Sequence, residues 1–247
     1  MKVISLCKKI VLGIVLLGTI SSNVNAQSND IDISLSGDLV SSYVWRGVKQ
    51  TGASVQPALS ASYKGFTIGS WASTDFGNND GFKEVDFTAS YAIKGLSVAL
   101  TDYWWDGEGA ANYFGGESLN GSNNGHMLEA SLGYTFSEKF PLSLSWNTFF
   151  MGKGNKKENG KNSYSTFIEA SYPFSVKNVD FGLSIGVTPW KSVIYQTEKF
   201  SVTQIKLHAS KTIQITDNFS VPIFGDIIFN PDKRNEDVNF VFGITIN

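Results

Sequence analysis

The chain has 247 residues, a length that suits one large domain or two small ones. Its first 26 residues carry three lysines and no acid, so in the remainder 17 basic residues face 22 acidic ones and the net charge is −5, which argues against a nucleic-acid partner. That remainder has no apolar run near the roughly 18 residues of a membrane-spanning helix, which excludes a helical membrane protein.

The N-terminal segment has the layout of a secretory signal peptide. A basic start is followed by an apolar run at 10–17 and by small residues up to Ala26, and the run is too short to span a bilayer. We expect a signal peptide at 1–26 and a single domain at 27–247, with a retained membrane anchor as the alternative. The one cysteine, Cys7, lies in the signal segment, so the exported chain has no disulfide framework.

The rest of the sequence alternates apolar and polar residues in segments of about ten. In one segment, Leu128, Leu132 and Tyr134 alternate with Glu129 and Ser131. A period of two predicts strands with one apolar and one polar face. We predict twelve strands, at 31–44, 53–63, 65–74, 83–93, 95–105, 126–136, 141–151, 163–174, 179–190, 202–213, 219–229 and 237–246.

The connections between these strands alternate in length. Every second one is tight, as at Lys64-Gly65 and Lys94-Gly95, whereas the others are mostly longer and polar, as at 106–125 and 152–162. Short turns at one end and long loops at the other are typical of a transmembrane barrel. We therefore predict an all-β fold, an up-and-down antiparallel β-barrel of about twelve strands. It is expected in the outer membrane of a Gram-negative bacterium, with both termini periplasmic and its apolar face in contact with lipid.

Aromatic residues cluster near both ends of the predicted strands. Tyr63, Tyr91, Tyr134 and Tyr172 all lie just before tight turns, and such rings are typical of membrane interfaces. The alternative is that aromatic residues are simply common in strands. A second girdle is predicted at the opposite ends, from Tyr43, Trp45, Trp104, Trp105, Phe150 and Trp190.

Charged residues on the polar alternates are candidates for lining a pore. Such groups would be costly in a dry core without partners, but a water-lined lumen tolerates them. The candidates are Asp38, Arg46, Asp86, Glu129, Glu169, Lys206, His208 and Asp226.

Four residues fit this pattern less well. Asp102 and His126 fall on the lipid-facing alternates, and we expect them near the outer headgroups or beside a bulge. Pro57 and Pro222 lack the N–H that a closed sheet needs, so we expect a bulge or a strand end near each.

The most distinctive motif is Ser42-Tyr43-Val44-Trp45-Arg46-Gly47-Val48-Lys49-Gln50-Thr51, followed by Gln56-Pro57. With the strand at 66–73 and the acidic start at 84–86, it resembles the N-terminal part of the TorF-like putative outer-membrane porins over roughly residues 35–105. The resemblance implies a barrel with passive transport activity, for which the substrates are generally unassigned.

Arg46 has two interpretations. Arg46 is an even number of residues from Asp38, so on a continuous strand both side chains point inward. At this place, near the outer mouth of the first strand, Arg46 could line the pore. Alternatively, it is a structural residue that pairs with Asp38, Asp86 or a loop carboxylate.

Catalysis has little support in the sequence. Beyond the signal segment there are two histidines and no cysteine, and a lipase-like site would need a serine and an orienting group beside His126 at the outer rim. No spacing of residues indicates a transition metal, a cofactor or a phosphate loop. We therefore expect no enzyme, no cofactor and no metal.

Three functions remain open. The first is a small porin-like channel for hydrophilic solutes. Its lumen is expected to be narrow, and the 106–125 loop could fold into it. We expect weak cation preference, because inward acids outnumber inward bases. The second is a closed structural or adhesion barrel acting through its outer loops. The third is a soluble periplasmic barrel that binds an apolar ligand.

Overall fold

The computed structural model describes residues 31–77, 83–105, 125–217, 219–232 and 237–246. Within these ranges, no helix is long and apolar enough to cross a membrane. A short 3-10 turn occupies Lys153–Asn155. The strands are β1 (Asp32–Val40), β2 (Tyr43–Trp45), β3 (Val48–Thr51), β4 (Ser54–Tyr63), β5 (Phe66–Asp75), β6 (Lys83–Ile93), β7 (Leu96–Trp104), β8 (His126–Thr135), β9 (Ser143–Gly152), β10 (Thr166–Val176), β11 (Val179–Thr188), β12 (Ser201–Thr216), β13 (Phe219–Asn230) and β14 (Asp237–Ile246).

Twelve of these strands form one closed antiparallel barrel. Its order is β1-β14-β13-β12-β11-β10-β9-β8-β7-β6-β5-β4, and β4 pairs back onto β1. The short strands β2 and β3 form a separate two-stranded sheet. The prediction of an up-and-down barrel of about twelve strands is confirmed, and closure removes the free edges that an open sheet would expose.

The two ends of the barrel differ in their connections. At the end that we call the turn end, Lys64 and Gly65 have φ of 49° and 86°, and Lys94 and Gly95 have φ of 47° and 84°. Two-residue hairpin turns of type I′ require a left-handed backbone, with positive φ, at both central residues. The longer connections lie at the opposite end, the loop end. Strand β1 begins and β14 ends at the turn end.

The alternation of residues separates the two faces of the wall. Large apolar side chains such as Leu59, Leu100 and Leu183 are half or more exposed on the outside. Their polar neighbours point inward, where the alternates Asp86, Thr101 and Glu129 are buried and the hydroxyls of Thr88 and Thr101 lie 3.0 Å apart. The barrel is therefore apolar outside and polar inside.

Both prolines lie where hydrogen-bond ladders are interrupted or end. Between β4 and β5, pairing is interrupted at 56–57, between the Val55–Thr74 and Ala58–Trp71 pairs. Pro222 pairs with Thr212 of β12 but has no partner on β14. The ladder between β13 and β14 begins only at Ile223, the next residue of β13. The missing N–H of each proline therefore costs little.

The two residues that were expected to fit poorly on the lipid-facing alternates, Asp102 and His126, contact each other. His126 Nδ1 lies 2.9 Å from Asp102 Oδ2 near the loop end of β7 and β8. Pairing a histidine with a carboxylate satisfies both groups, which explains how they can share a face that is largely apolar.

Candidate functional site inside the barrel

Residues 43–51 leave the wall after β1 and fold into the barrel as the hairpin β2–β3, which we call the lumen hairpin. Its tip is Arg46-Gly47, with φ of 48° and 82°, the same left-handed pair that forms the tight turns of the wall. The prediction that the first strand runs to residue 44, with Arg46 at its outer mouth, is therefore wrong. Strand β1 ends at Val40, and the chain reverses at Arg46-Gly47 inside the barrel.

Arg46 crosses the lumen to β8 and forms a bidentate ion pair with Glu129. The distances are 2.6 Å from Nη1 to Oε1 and 2.8 Å from Nη2 to Oε2. Tyr103 donates a further hydrogen bond to Glu129 at 2.9 Å, and Arg46 Nη1 also contacts the hydroxyl of Tyr195. The exposed fraction is 4% for Arg46 and 0% for Glu129, so the pair is fully desolvated. The two parallel hydrogen bonds fix the geometry of such a pair. Its attraction is offset in large part by the free-energy cost of removing both charges from water.

A second polar contact holds the first strand of the hairpin against β6. The hydroxyl of Tyr43 donates to Glu84 Oε2 at 2.8 Å, and Trp105 Nε1 donates to Glu84 Oε1 at 2.5 Å. Asp86 lies two residues further along β6 on the same inner face and is also buried. The hairpin therefore contacts acidic side chains of the wall through the neutral donor Tyr43 as well as through Arg46.

The tip of the hairpin touches the wall on the side of β12 and β13. A Cβ atom on Gly47 would lie 1.8 Å from the carbonyl oxygen of Thr203, so only glycine fits there. Asn230 Nδ2 donates to the carbonyl oxygen of Gly47 at 3.2 Å. Since β8 and β12 lie on different sides of the barrel, these contacts place the hairpin across the lumen from wall to wall.

Apolar side chains fill the space around these polar contacts. Val44 packs with Phe224, Ile228 and Val241 of the β13–β14 wall. On the other face, Trp45 lies in an aromatic cluster and its ring stacks on that of Tyr195 at 5.6 Å. The Arg46 guanidinium carbon lies over two of the aromatic rings, 4.5 Å from the centroid of Trp45 and 4.9 Å from that of Phe167, so cation–π attraction adds to the ion pair.

The connection between β11 and β12, residues 189–200, covers the hairpin from the loop end. Its backbone is held by hydroxyls of the preceding loop, because Ser163 accepts from the N–H of Val193 and Ser165 from that of Ile194. Burial raises the pKa of Tyr195 well above its ordinary value, so its hydroxyl stays neutral beside Arg46. Two inward elements, the lumen hairpin and this connection, thus lie in the loop end of the barrel, whereas the 106–125 loop that was expected to contribute lies almost entirely outside the described residues.

Two of the predicted site residues pair with each other on the β12–β13 wall. His208 Nδ1 lies 2.6 Å from Asp226 Oδ1, and both side chains are buried beside the ring of Phe224. Lys206 is two residues away on the same face of β12 and is also buried. Among the described residues it has no ion-pair partner.

The other predicted residues are distributed over the inner face. Glu169 Oε2 accepts a hydrogen bond from Gln204 at 2.5 Å, and Asp38 Oδ1 accepts one from Thr245 at 2.6 Å. The partner predicted for Arg46 was Asp38, Asp86 or a loop carboxylate, whereas its actual partner is the wall residue Glu129. Among the described residues, no group of three or more His, Cys, Asp or Glu side chains could hold a metal ion.

The turn-end half of the lumen has a different lining. Its inward residues are mostly short and hydroxylated, and they stay half-buried rather than buried, for example Ser62, Thr67, Thr88, Ser97 and Ser131. Short side chains with accessible surface leave room for water. The inner face is therefore accessible to solvent at the turn end, whereas packed side chains cover it at the loop end.

Several residues of the site were not predicted. Glu84, Tyr103 and Tyr195 contact the hairpin but were not among the candidates, although Glu84 shares the parity of Asp86 and could have been included. The predicted second aromatic girdle is wrong for Tyr43 and Trp45, which are buried inside the barrel. Trp104 is also buried, whereas Trp190 is exposed and packs against Trp146 on the outer face.

Comparisons with known proteins show similarity to solved structures only at the level of the fold. No protein-family model matches the chain, and no curated protein matches it. Among solved structures, the chain is similar to one titled KdgM porin, with 9% identity and a TM-score of 0.45, over 87% of this chain and 98% of that one. The resemblance to the TorF-like porins stays a prediction.

Proposed function

We propose that this chain is a porin-like channel of the outer membrane of a Gram-negative bacterium, through which small hydrophilic solutes pass. The observation that carries the proposal is the inverted arrangement of the barrel, which is apolar outside and polar inside. A bilayer covers the apolar face, and closure satisfies the backbone groups that hydrocarbon cannot. The polar inner face then borders water.

The proposed orientation places the turn end in the periplasm. Tyr63, Tyr91 and Tyr134 are exposed on the outer face near that end, at the level expected for one membrane interface. Both termini would then be periplasmic after removal of a signal peptide at 1–26. The longer connections, including the lysine-rich loop 152–162, would face the exterior.

In this proposal the lumen hairpin forms the narrowest part of the channel. The pore-lining roles proposed for Asp38, Asp86, Glu169, Lys206, His208 and Asp226 apply to the path beside and below it. The Arg46–Glu129 pair neutralises itself, so acids predominate among the remaining charges and favour weak cation preference.

Planar-bilayer recording tests the proposal directly. The detergent-extracted protein, checked for heat-modifiable mobility on an SDS gel, is expected to give discrete conductance steps and to make liposomes permeable to small sugars. A variant that lacks residues 43–51 is the companion sample, since it removes the constriction. If neither protein conducts, the chain is not a channel.

A second function is favoured by one observation, the burial of Tyr43, Trp45 and Tyr195 where the hairpin and the 189–200 connection meet at the loop end. A barrel closed in this way could serve as a structural or adhesion scaffold whose loops carry the activity. Absence of conductance in both proteins, together with binding of the intact protein to a surface ligand, would support this alternative. A soluble barrel with an apolar ligand is disfavoured, because the inner face is polar.

A further inference from the structure

The lumen hairpin is attached to the wall through two short connectors. Ser41-Ser42 joins it to β1 and Gly52-Ala53 joins it to β4, and neither connector belongs to a strand. The connectors are fixed at the wall, where the N–H of Ser41 donates to the carbonyl of Phe242 at 2.8 Å and the N–H of Gly52 donates to Asp75 Oδ2 at 3.0 Å. Small residues outside the ladders are the usual positions of hinges.

The hairpin is also tied internally, so it can move as one unit. Its two strands pair with each other and not with any strand of the barrel. The hydroxyl of Ser42 donates to the carbonyl of Thr51 at 3.1 Å and closes the base of the hairpin. Displacement of the whole hairpin would therefore break no hydrogen-bond ladder of the barrel wall.

Polar contacts hold the hairpin in the lumen alongside the apolar packing of Val44 and Trp45. The ion pair between Arg46 and Glu129 connects it to β8, and the hydrogen bond from Tyr43 to Glu84 connects it to β6. When such groups separate into a water-filled lumen, hydration replaces the contacts, so their loss is partly compensated. An apolar plug of the same size would have no such compensation.

In the described part of the chain, some buried polar atoms at or beside the hairpin have no hydrogen-bond partner in this arrangement. Among the described residues, Arg46 Nε, Asp86 Oδ1 and Thr203 Oγ1 are buried without a hydrogen-bond partner, and all three lie at or beside the hairpin. A buried polar atom without a partner costs free energy that hydration would recover. The closed state is therefore held by strong contacts and opposed by these uncompensated groups.

We propose that the lumen hairpin is a gate that turns about the connectors Ser41-Ser42 and Gly52-Ala53, and that the Arg46–Glu129 ion pair holds it closed. The inference rests on the proposed channel function and adds its regulation. With the hairpin in the lumen, the loop end is closed. With the hairpin displaced, the hydroxyl-lined half of the lumen opens to the exterior.

Single-channel recording of Glu129→Gln tests the gate. This substitution keeps the shape of the side chain and removes the charge that holds Arg46, so we expect the open probability to rise about tenfold or more. Glu138→Gln is the matched control, because Glu138 is exposed near the turn end and should leave gating unchanged. Heat-modifiable mobility establishes that each variant is folded.

A reversible cross-link supplies a test that does not depend on the ion pair. Val44 of the hairpin and Val241 of the wall pack in one cluster, and the only native cysteine lies in the signal segment. In Val44→Cys/Val241→Cys, a short bifunctional methanethiosulfonate should abolish openings and dithiothreitol should restore them, whereas Val44→Cys alone should be unaffected.

The outcomes separate the gate from the channel. Equal conductance of the wild type, Glu129→Gln and the cross-linked protein would overturn the gate and leave the channel intact. Absence of conductance in every protein, including the variant without residues 43–51, would overturn the channel itself.

Discussion

Glu129 can remain buried on the inner face because it accepts three hydrogen bonds. Two come from the guanidinium of Arg46 and one from the hydroxyl of Tyr103. This set of donors replaces the water contacts that the carboxylate loses on burial, whereas burial of the same group without partners would be very costly. At the scale of single residues, the site depends on this match between one cation and one fully enclosed anion.

Gly47 gives a prediction at the same scale. Gly47→Ala should destabilise the protein because alanine is strained at a φ of 82° and because its Cβ would overlap the Thr203 carbonyl. The strain alone costs roughly 1–2 kcal/mol, and we expect the overlap to add about 1–3 kcal/mol. Urea unfolding in detergent, followed by tryptophan fluorescence, measures the change.

Gly160→Ala is the matched control for this experiment. Gly160 also has a left-handed φ, of 76°, but nothing lies within 4 Å of the position that its Cβ would occupy. The control therefore carries the backbone strain without the overlap. Equal losses of stability in the two variants would contradict the close approach of the hairpin tip to β12.

At the scale of elements, the period of two in the sequence predicted all twelve wall strands. Each strand has one apolar face on the outside of the barrel and one polar face on the inside. The lumen hairpin was missed, although its tip carries the same kind of signal as the predicted turns. Arg46-Gly47 is a basic residue followed by glycine, as are Lys64-Gly65 and Lys94-Gly95, and all three adopt left-handed pairs. The dipeptide could have predicted the reversal.

The partners of the hairpin were beyond sequence analysis for a physical reason. Arg46 and Glu129 are 83 residues apart. They meet only because closure of the barrel and the register of each strand bring β8 opposite the hairpin. The alternation of residues fixes which side chains point inward, but it does not fix their heights relative to one another.

Removal of the hairpin is the prediction that belongs to this scale. With residues 43–51 deleted and Ser42 joined to Gly52, the barrel should still close, since Val40 and Ser54 are already paired and four residues suffice for the connection. Circular dichroism should retain the strand spectrum, and the gel mobility should stay heat-modifiable. Loss of folding would show that the hairpin is part of the core of the barrel.

At the scale of the whole molecule, acidic residues outnumber basic ones among the charged side chains of the described inner face. The buried Arg46–Glu129 pair contributes no net charge to the lumen, which leaves Asp38, Glu169 and the histidine-bound Asp226 against Lys206 on the inner face. An excess of one sign in a low-dielectric channel raises the local concentration of the opposite ion.

The reversal potential under a KCl gradient should therefore show weak cation preference. Lys206→Gln should strengthen it, because that substitution removes the opposing charge, and Glu169→Lys should weaken or invert it. Lys64→Gln serves as the control, since Lys64 is exposed in a turn away from the lumen and should leave the potential unchanged. Anion selectivity of the wild type, or equal potentials in all four proteins, would show that these inner-face charges do not border the conducting path. The expected order of cation preference is thus Lys206→Gln above wild type and wild type above Glu169→Lys, with screening by salt reducing the differences as the KCl concentration rises.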